Sequence, residues 1–199
     1  MEGILQGPPP TDQVPVGGAL AGDWTSANRI EMTAPQTSPY TIRRAVPADA
    51  PTLVEFNRAL ARETERIELD PGRIVPGVAA VLQDEQRGRY FVACLGEEIV
   101  GQVMHTWEWS DWRNGHIWWL QSVYIAPEHR GRGIFRQLWD HLCELAAAEP
   151  DVVGLRLYVE HGNHAAQATY RRLGMDEAGY VVMERLFCPS PAPLPNGLP

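Results

Sequence analysis

The sequence predicts an α+β fold built around one mixed sheet. Three observations carry that prediction. Strand-like and helix-like segments alternate in the order strand, helix, helix, three strands, helix, strand, helix, strand. A Gly96-Glu97 pair separates two β-rich runs, which is a hairpin signal. The stretch Leu120–Leu145 reads as strand, Gly/Arg-rich loop and helix. At 199 residues the chain has room for one ordinary domain and its tails.

Taken in order, Tyr40–Val46 alternates enough for a first strand. A helix opens at Ala48 or Asp49, after Pro47, and carries Leu53, Phe56 and Leu60 on one face to near Arg66. A second helix starts at Asp70-Pro71, where proline suits a first turn, and presents Ile74, Val78, Val81 and Leu82. Arg89–Leu95 and Glu98–Trp107 form the hairpin strands, and Asp111–Gly115 is a turn. His116–Ile125 is the long central strand, followed by a helix from Gly133 with Ile134, Leu138, Leu142 and Leu145 at helical spacing. Leu155–Glu160 is another strand. Gly162-Asn163 leads into a short helix with Ala166 and Tyr170, stopped by Gly174. Val181–Phe187 is the last strand.

The domain is expected over 39–188. Residues 1–38, rich in Pro, Gly, Thr and Ser, read as a disordered N-terminal tail, and 189–199 as a Pro-rich C-terminal tail. Met32, just before the patterned region, offers an alternative start. The first residues have neither the charged nor the apolar region of a signal peptide, and no run reaches the ~20 apolar residues of a membrane span. A formal net charge of -8 argues against general nucleic-acid binding, which needs a basic face. Three widely spaced cysteines, Cys94, Cys143 and Cys188, read as reduced thiols of a cytoplasmic protein. The six histidines form no set at ligand spacing, so no metal is expected.

The loop between the central strand and the third long helix is where chemistry first shows. Arg130, Gly131, Arg132 and Gly133 carry no large apolar side chain. Free backbone N–H groups at a helix start, together with the positive end of the helix dipole, make an anion site. Arg130, Arg132 and Arg136 add charge, so the expected ligand is a phosphate ester.

Three blocks resemble the GNAT family of acyl-CoA-dependent N-acyltransferases. Arg130-Gly131-Arg132-Gly133-Ile134-Phe135 is similar to the family's Q/R-x-x-G-x-G/A pyrophosphate loop. Ser122-Val123-Tyr124-Ile125, then Ala126-Pro127-Glu128-His129, is similar to the strand before it. Asn163-His164-Ala165-Ala166, with Tyr170, Leu173, Gly174 and Met175, is similar to its N-x-x-A-x-x-x-Y-x-x-x-G-F signature. The blocks stand in the family's order over roughly residues 40–188. Phe135 departs from the pattern, standing where the family prefers Gly or Ala; it can serve if its ring turns toward the core.

The resemblance implies a mostly antiparallel central sheet of about six to seven strands flanked by four helices. It also implies direct transfer of an acetyl group from acetyl-CoA, as co-substrate, to an amine, with no covalent enzyme intermediate. Cofactor contacts then fall to Val123, Tyr124 and Ile125 on the strand, to Arg130, Gly131, Arg132, Gly133, Ile134, Phe135 and Arg136 on the loop and helix, and to Asn163. Val123 and Ile125 would free backbone groups where two strands splay at a bulge. Tyr170 would protonate the leaving thiolate, a phenol and a thiol being of similar basicity. Read from the residues alone, Asn163 is equally a helix N-cap and Tyr170 an amphipathic packing residue. The central strand holds no carboxylate. The base is left among Glu160, Glu108, Asp111, His105, Glu63, Glu65 and a water chain.

On the acceptor side, Glu63 and Glu65, with Glu108 and Asp111, favour a cationic small-molecule amine, or else form a solvated acidic face. Trp107–Leu120 is similar to the aromatic and acidic layout of diamine N-acetyltransferases, but Gln121 and Ser122 replace its acids. The five tryptophans from Trp107 to Trp119 would line an apolar acceptor pocket or fill a homodimer interface. Two other readings stay open: a non-catalytic acyl-CoA-binding regulatory module, and a protein or peptide N-acetyltransferase. No nucleic acid or membrane partner is expected.

Overall fold

The computed structural model describes residues 38–187. The expected tails before residue 38 and after 188, Met32 and Cys188 lie outside them. The elements are β1 (Tyr40–Arg44), α1 (Ala50–Thr64), α2 (Pro71–Gln83), β2 (Arg89–Leu95), β3 (Glu98–Ser110), β4 (Gly115–Ile125), α3 (Ile134–Ala148), β5 (Val152–Leu157) and α4 (His164–Arg172). The strands form one sheet in sequence order, antiparallel from β1 to β4 and parallel between β4 and β5.

β2 explains why helices cover both faces. Its period-2 alternation sends Phe91 and Ala93 into one buried cluster and Tyr90, Val92 and Cys94 into another. The first cluster packs Ile134, Leu138, Trp139 and Leu142 of α3 against Val103, Trp118 and Leu120. The second packs Leu53 and Val54 of α1 and Val78 of α2. Asp70 caps α2 by accepting from Gly72 N at 2.9 Å, and Pro71 occupies the first turn, where its missing N–H costs nothing.

Two expectations about strands are corrected. Five strands form among the described residues, because Val181–Phe187 adds no strand; its residues lie unpaired and exposed. The fifth strand is also displaced, running over Val152–Leu157 instead of Leu155–Glu160. The ladder with β4 explains the shift. It begins where His116 N donates to Asp151 O at 2.6 Å and ends at the Leu120–Leu157 pair. Beyond that pair β4 changes course, so Tyr158–Glu160 find no partner strand there.

The change of course is a β-bulge. Met104 of β3 stands opposite Gln121, yet Gln102 stands opposite Tyr124, so β4 carries one extra residue. Ser122 sits in the bulge with a φ of 50°. This left-handed conformation costs a non-glycine residue about 1–2 kcal/mol.

His105 lies fully buried in the sheet, its ring 4.1 Å from that of Trp118 and 6.0 Å from that of Phe91. Burial, and then the charge of Arg89, push its imidazole down from 6.5 to about 4. The unfolded chain therefore holds this proton more tightly than the folded one. Stability from this group is complete above pH 6.5 and is lost as pH falls toward about 4. In urea titrations the wild type should lose up to about 3 kcal/mol more than a His105→Phe variant across that interval. Equal losses in the two proteins would contradict a neutral, buried His105.

Candidate active site

The parting of β4 from β5 opens a cleft of about 910 Å³. One wall is Leu120–Ile125 and the other is Leu157–Glu160. Arg130, Gly131 and Gly133–Arg136 also line the cleft, with Glu63 of α1, Glu65 just past its end, and Asn163 and Tyr170 from the α4 side. The structure thus brings together Val123, Tyr124, Ile125, Arg130, Gly131, Gly133, Ile134, Phe135, Arg136, Asn163, Tyr170, Glu63 and Glu65.

Gly131 and Gly133 adopt φ values of 74° and 77°. These are left-handed conformations that glycine takes without a steric penalty. A Cβ at either position would meet nothing within 4 Å, so the glycines serve the backbone path and leave open space in front of it. Gly133 is the N-cap of α3, and no side chain caps the helix. Its first amides are thereby left for a ligand, with the helix dipole behind them. Open space, unclaimed amides and a long cleft together fit a phosphate ester with an extended tail.

Phe135 turns its ring to the core, packing against the α3 cluster and meeting the Tyr170 ring edge-on at 5.7 Å. The bulky residue therefore supports Tyr170 and leaves its own amide in the first turn of α3. Burial raises the pKa of the Tyr170 phenol, which makes no hydrogen bond among the described residues. Asn163 is an N-cap: its side-chain oxygen accepts from Ala166 N at 3.0 Å.

A polar cluster joins the two halves of the cleft. Tyr124 Oη donates to Glu63 Oε1 at 3.0 Å, and Arg130 Nη2 pairs with Glu63 Oε2 at 2.7 Å. Arg130 Nε donates to Ile125 O at 2.9 Å, and its guanidinium lies 5.3 Å from the centre of the Tyr124 ring. Burial, then the bond to Glu63, raises the pKa of the Tyr124 phenol. Both partners of the Arg130–Glu63 pair are partly exposed, so the pair contributes at most about 1 kcal/mol. It is weak enough to open for a ligand.

Sequence reasoning missed the residues that hold the bulge. Gln102 is fully buried, and its amide Nε2 donates to Ser122 O at 3.1 Å and to Asn57 Oδ1 at 3.3 Å. Asn57 Nδ2 in turn donates to Leu53 O at 2.9 Å and contacts Tyr90 Oη at 3.1 Å. A glutamine at an inward strand position and an asparagine on the buried face of α1 were the available signals, since buried polar groups need partners. Glu98, Glu128 and His129 also gather, with donor atoms within 4.8 Å, although Glu98 is distant in sequence. Two exposed carboxylates and one histidine fall short of the four ligands of a structural zinc site.

Several expected site residues lie elsewhere. Arg132 is exposed and does not line the cleft. Glu108 and Asp111 are also outside it, because the β3–β4 hairpin runs away from the end where the strands part. Glu108 accepts from Trp119 Nε1 at 2.7 Å, and Asp111 accepts from Trp112 N at 2.9 Å within its turn. None of the five tryptophans lines the cleft. Trp118 is core, whereas Trp109 and Trp112 are exposed on the hairpin. Among the candidate bases, His105 is buried in the core, whereas Glu160 lines the cleft while accepting from Gly162 N at 2.7 Å.

Gly133→Ala should cost roughly 1–2 kcal/mol in urea unfolding, because only the backbone conformation penalises it. Gly133→Asp should in addition abolish binding of coenzyme A in calorimetry; retained affinity would sever the loop from phosphate binding.

Comparisons with known proteins agree with this geometry. Residues 54–175 match the model of the acetyltransferase (GNAT) family. The chain is 35% identical over 80 residues to a thialysine N-epsilon-acetyltransferase of Caenorhabditis elegans, covering 40% of this chain and 49% of that protein. It is 32% identical over 95 residues to an L-methionine sulfoximine/L-methionine sulfone acetyltransferase of Pseudomonas aeruginosa, covering 44% and 52%. The chain thus spans about half the length of the curated relatives it matches. A solved structure described as a possible acetyltransferase, from Clostridium difficile 630, superposes with a TM-score of 0.71 at 43% identity, covering 75% of this chain and 98% of that one. By this match, over more than half of its length, the chain belongs to the GNAT acetyltransferase family.

Proposed function

We propose that this chain transfers an acetyl group from acetyl-CoA to the primary amine of a small, cationic or amphipathic molecule. The observation that carries the reading is the cleft itself: an uncapped helix start behind two left-handed glycines, beside parted strands, with the half-buried Tyr170 phenol among its lining. The relatives named above, whose names specify small amine-bearing substrates, support the acceptor class.

Bound acetyl-CoA supplies the activated acyl thioester. The amides of Gly131 to Arg136 hold its pyrophosphate, and Arg130 and Arg136 add charge at the cleft. The backbone of Val123 and Ile125, released from β5, aligns the pantetheine arm, and the Val123 N–H orients the acyl carbonyl. Asn163 keeps its side-chain oxygen on the helix cap and offers its amide nitrogen to the cofactor. Tyr170 holds a proton on Oη for the departing thiolate sulfur. Glu63 and Glu65 draw a cationic amine to the other half of the cleft. The amine's proton goes to one of the carboxylates lining the cleft, Glu63, Glu65 or Glu160, directly or through water.

The test is release of free thiol from acetyl-CoA over a panel of amines and peptides. Turnover on small amines is expected, with none on peptides. Tyr170→Phe should lower kcat by about 10²–10⁴-fold with cofactor affinity retained. Because burial raises its pKa, the Tyr170 phenol should stay protonated through neutral pH, and no alkaline loss of rate below about pH 10 should trace to it. Tight coenzyme A binding without turnover on any amine would make the chain a non-catalytic binding module. Full activity in Tyr170→Phe would remove that residue from the reaction.

A further inference from the structure

Just before the Arg130–Gly133 loop, three side chains from two distant parts of the chain converge. Glu98 opens β3, directly after the Gly96-Glu97 turn, and Glu128 and His129 belong to a single helical turn over Pro127–His129. Two backbone hydrogen bonds fix that turn beside β3. Ala126 N donates to Val100 O at 2.9 Å, and His129 N donates to Ala126 O at 2.9 Å. Pro127, at its first position, holds φ by its own ring. One oxygen of each glutamate and a ring nitrogen of His129 then lie within 4.8 Å of one another.

Two independent observations point to a cation among them. The first is charge. Two carboxylates this close repel each other, yet among the described residues neither Glu98 nor Glu128 forms an ion pair with an arginine. The second is His129. The residue is only 7% exposed, its ring meets that of Tyr40 edge-on at 6.1 Å, and its Nδ1 is buried with no hydrogen-bond partner. Buried polar atoms are as a rule partnered, and this ring brings a nitrogen to two free carboxylates. Metal bonds of ~2.0–2.2 Å are reached by rotating the two glutamates, both exposed, while the buried histidine stays in place.

We infer that Glu98, Glu128 and His129 bind a divalent transition-metal cation of the Zn²⁺ type, with water completing its coordination. The set lacks the fourth protein ligand of a structural zinc site, but three protein ligands and a water are the pattern of an open one. The mixed donors select the metal: imidazole suits zinc and its neighbours, whereas Mg²⁺ and Ca²⁺ favour oxygen throughout. Histidine spacing could not announce this site. Its third ligand comes from another strand, brought in by the pairing of Gly101 with Ile125 where β3 and β4 meet. The bound cation ties the start of β3 to the turn that leads into Arg130. It thereby holds in place His129, which also lines the cleft.

The experiment uses the full chain, stripped with a chelator and titrated with Zn²⁺ in a calorimeter. One high-affinity ion per chain is expected, with a higher melting temperature at saturation. Glu98→Gln and Glu128→Gln should each weaken that binding by at least about 10-fold, since disturbing even a ligand's own hydrogen-bond partner costs that much. Both side chains are exposed, so the melting temperatures of the stripped variants should match the wild type. The histidine is read directly: Zn²⁺ should shift the His129 imidazole resonances of isotope-labelled wild type. Absence of Zn²⁺ binding, or equal affinity in the two glutamine variants, would overturn the site, the latter by placing the ion elsewhere on the chain. Unmoved His129 resonances, or Mg²⁺ binding as tightly as Zn²⁺, would remove the imidazole from the set and equally refute the proposal.

Discussion

One hydrogen bond sits beneath the whole site: the Gln102 amide holding the Ser122 carbonyl. Ser122 occupies a strained left-handed conformation, which persists only where its surroundings compensate. The compensation is a buried set of side chains from three elements, Asn57 on α1, Tyr90 on β2 and Gln102 on β3. With the extra residue locked in, β4 turns from β5 after Leu120. Everything the site needs follows from that divergence: backbone without a strand partner, two walls, and room between them.

The parting also explains how the two halves meet. α3 starts where β4 ends, so its uncapped first turn faces the cleft that β4 has opened. α4 starts after the wall formed by Tyr158–Glu160, which places Asn163 and Tyr170 opposite. Phe135 links the two helices by meeting the Tyr170 ring edge-on, so a departure from the family's loop pattern becomes a support for the candidate acid. Arg130, Tyr124 and Glu63 tie the loop, the strand and α1 into one cluster.

Much of this was legible because it is local. Glycines at 131 and 133 announce their backbone conformation, and the spacing of Ile134, Leu138 and Leu142 announces a helix. Asn163 before an alanine-rich turn announces a cap. What stayed hidden depends on neighbours distant in sequence. A bulge beside Val123 was implied by the family resemblance alone; no residue pattern around Ser122 signals it, because Gln102 of the adjacent strand holds it from a distance in sequence. The limits of β5 were misplaced because the ladder with β4, and not the apolar content of Leu155–Glu160, sets where pairing stops. Glu108 and Asp111 looked like acceptor-side acids by position, but the length of β3 carries them beyond the cleft. Val181–Phe187 has the composition of a strand without pairing as one among the described residues, because pairing requires an edge as well as propensity.

We propose that the bulge-opened cleft binds coenzyme A through backbone groups. The most direct measurement is titration of coenzyme A into isotope-labelled protein while following assigned backbone amide resonances. The largest shifts are expected at Val123, Ile125 and Gly131 through Arg136, with the β3–β4 hairpin tip unmoved. Shifts centred away from the parted strands and the start of α3 would contradict it.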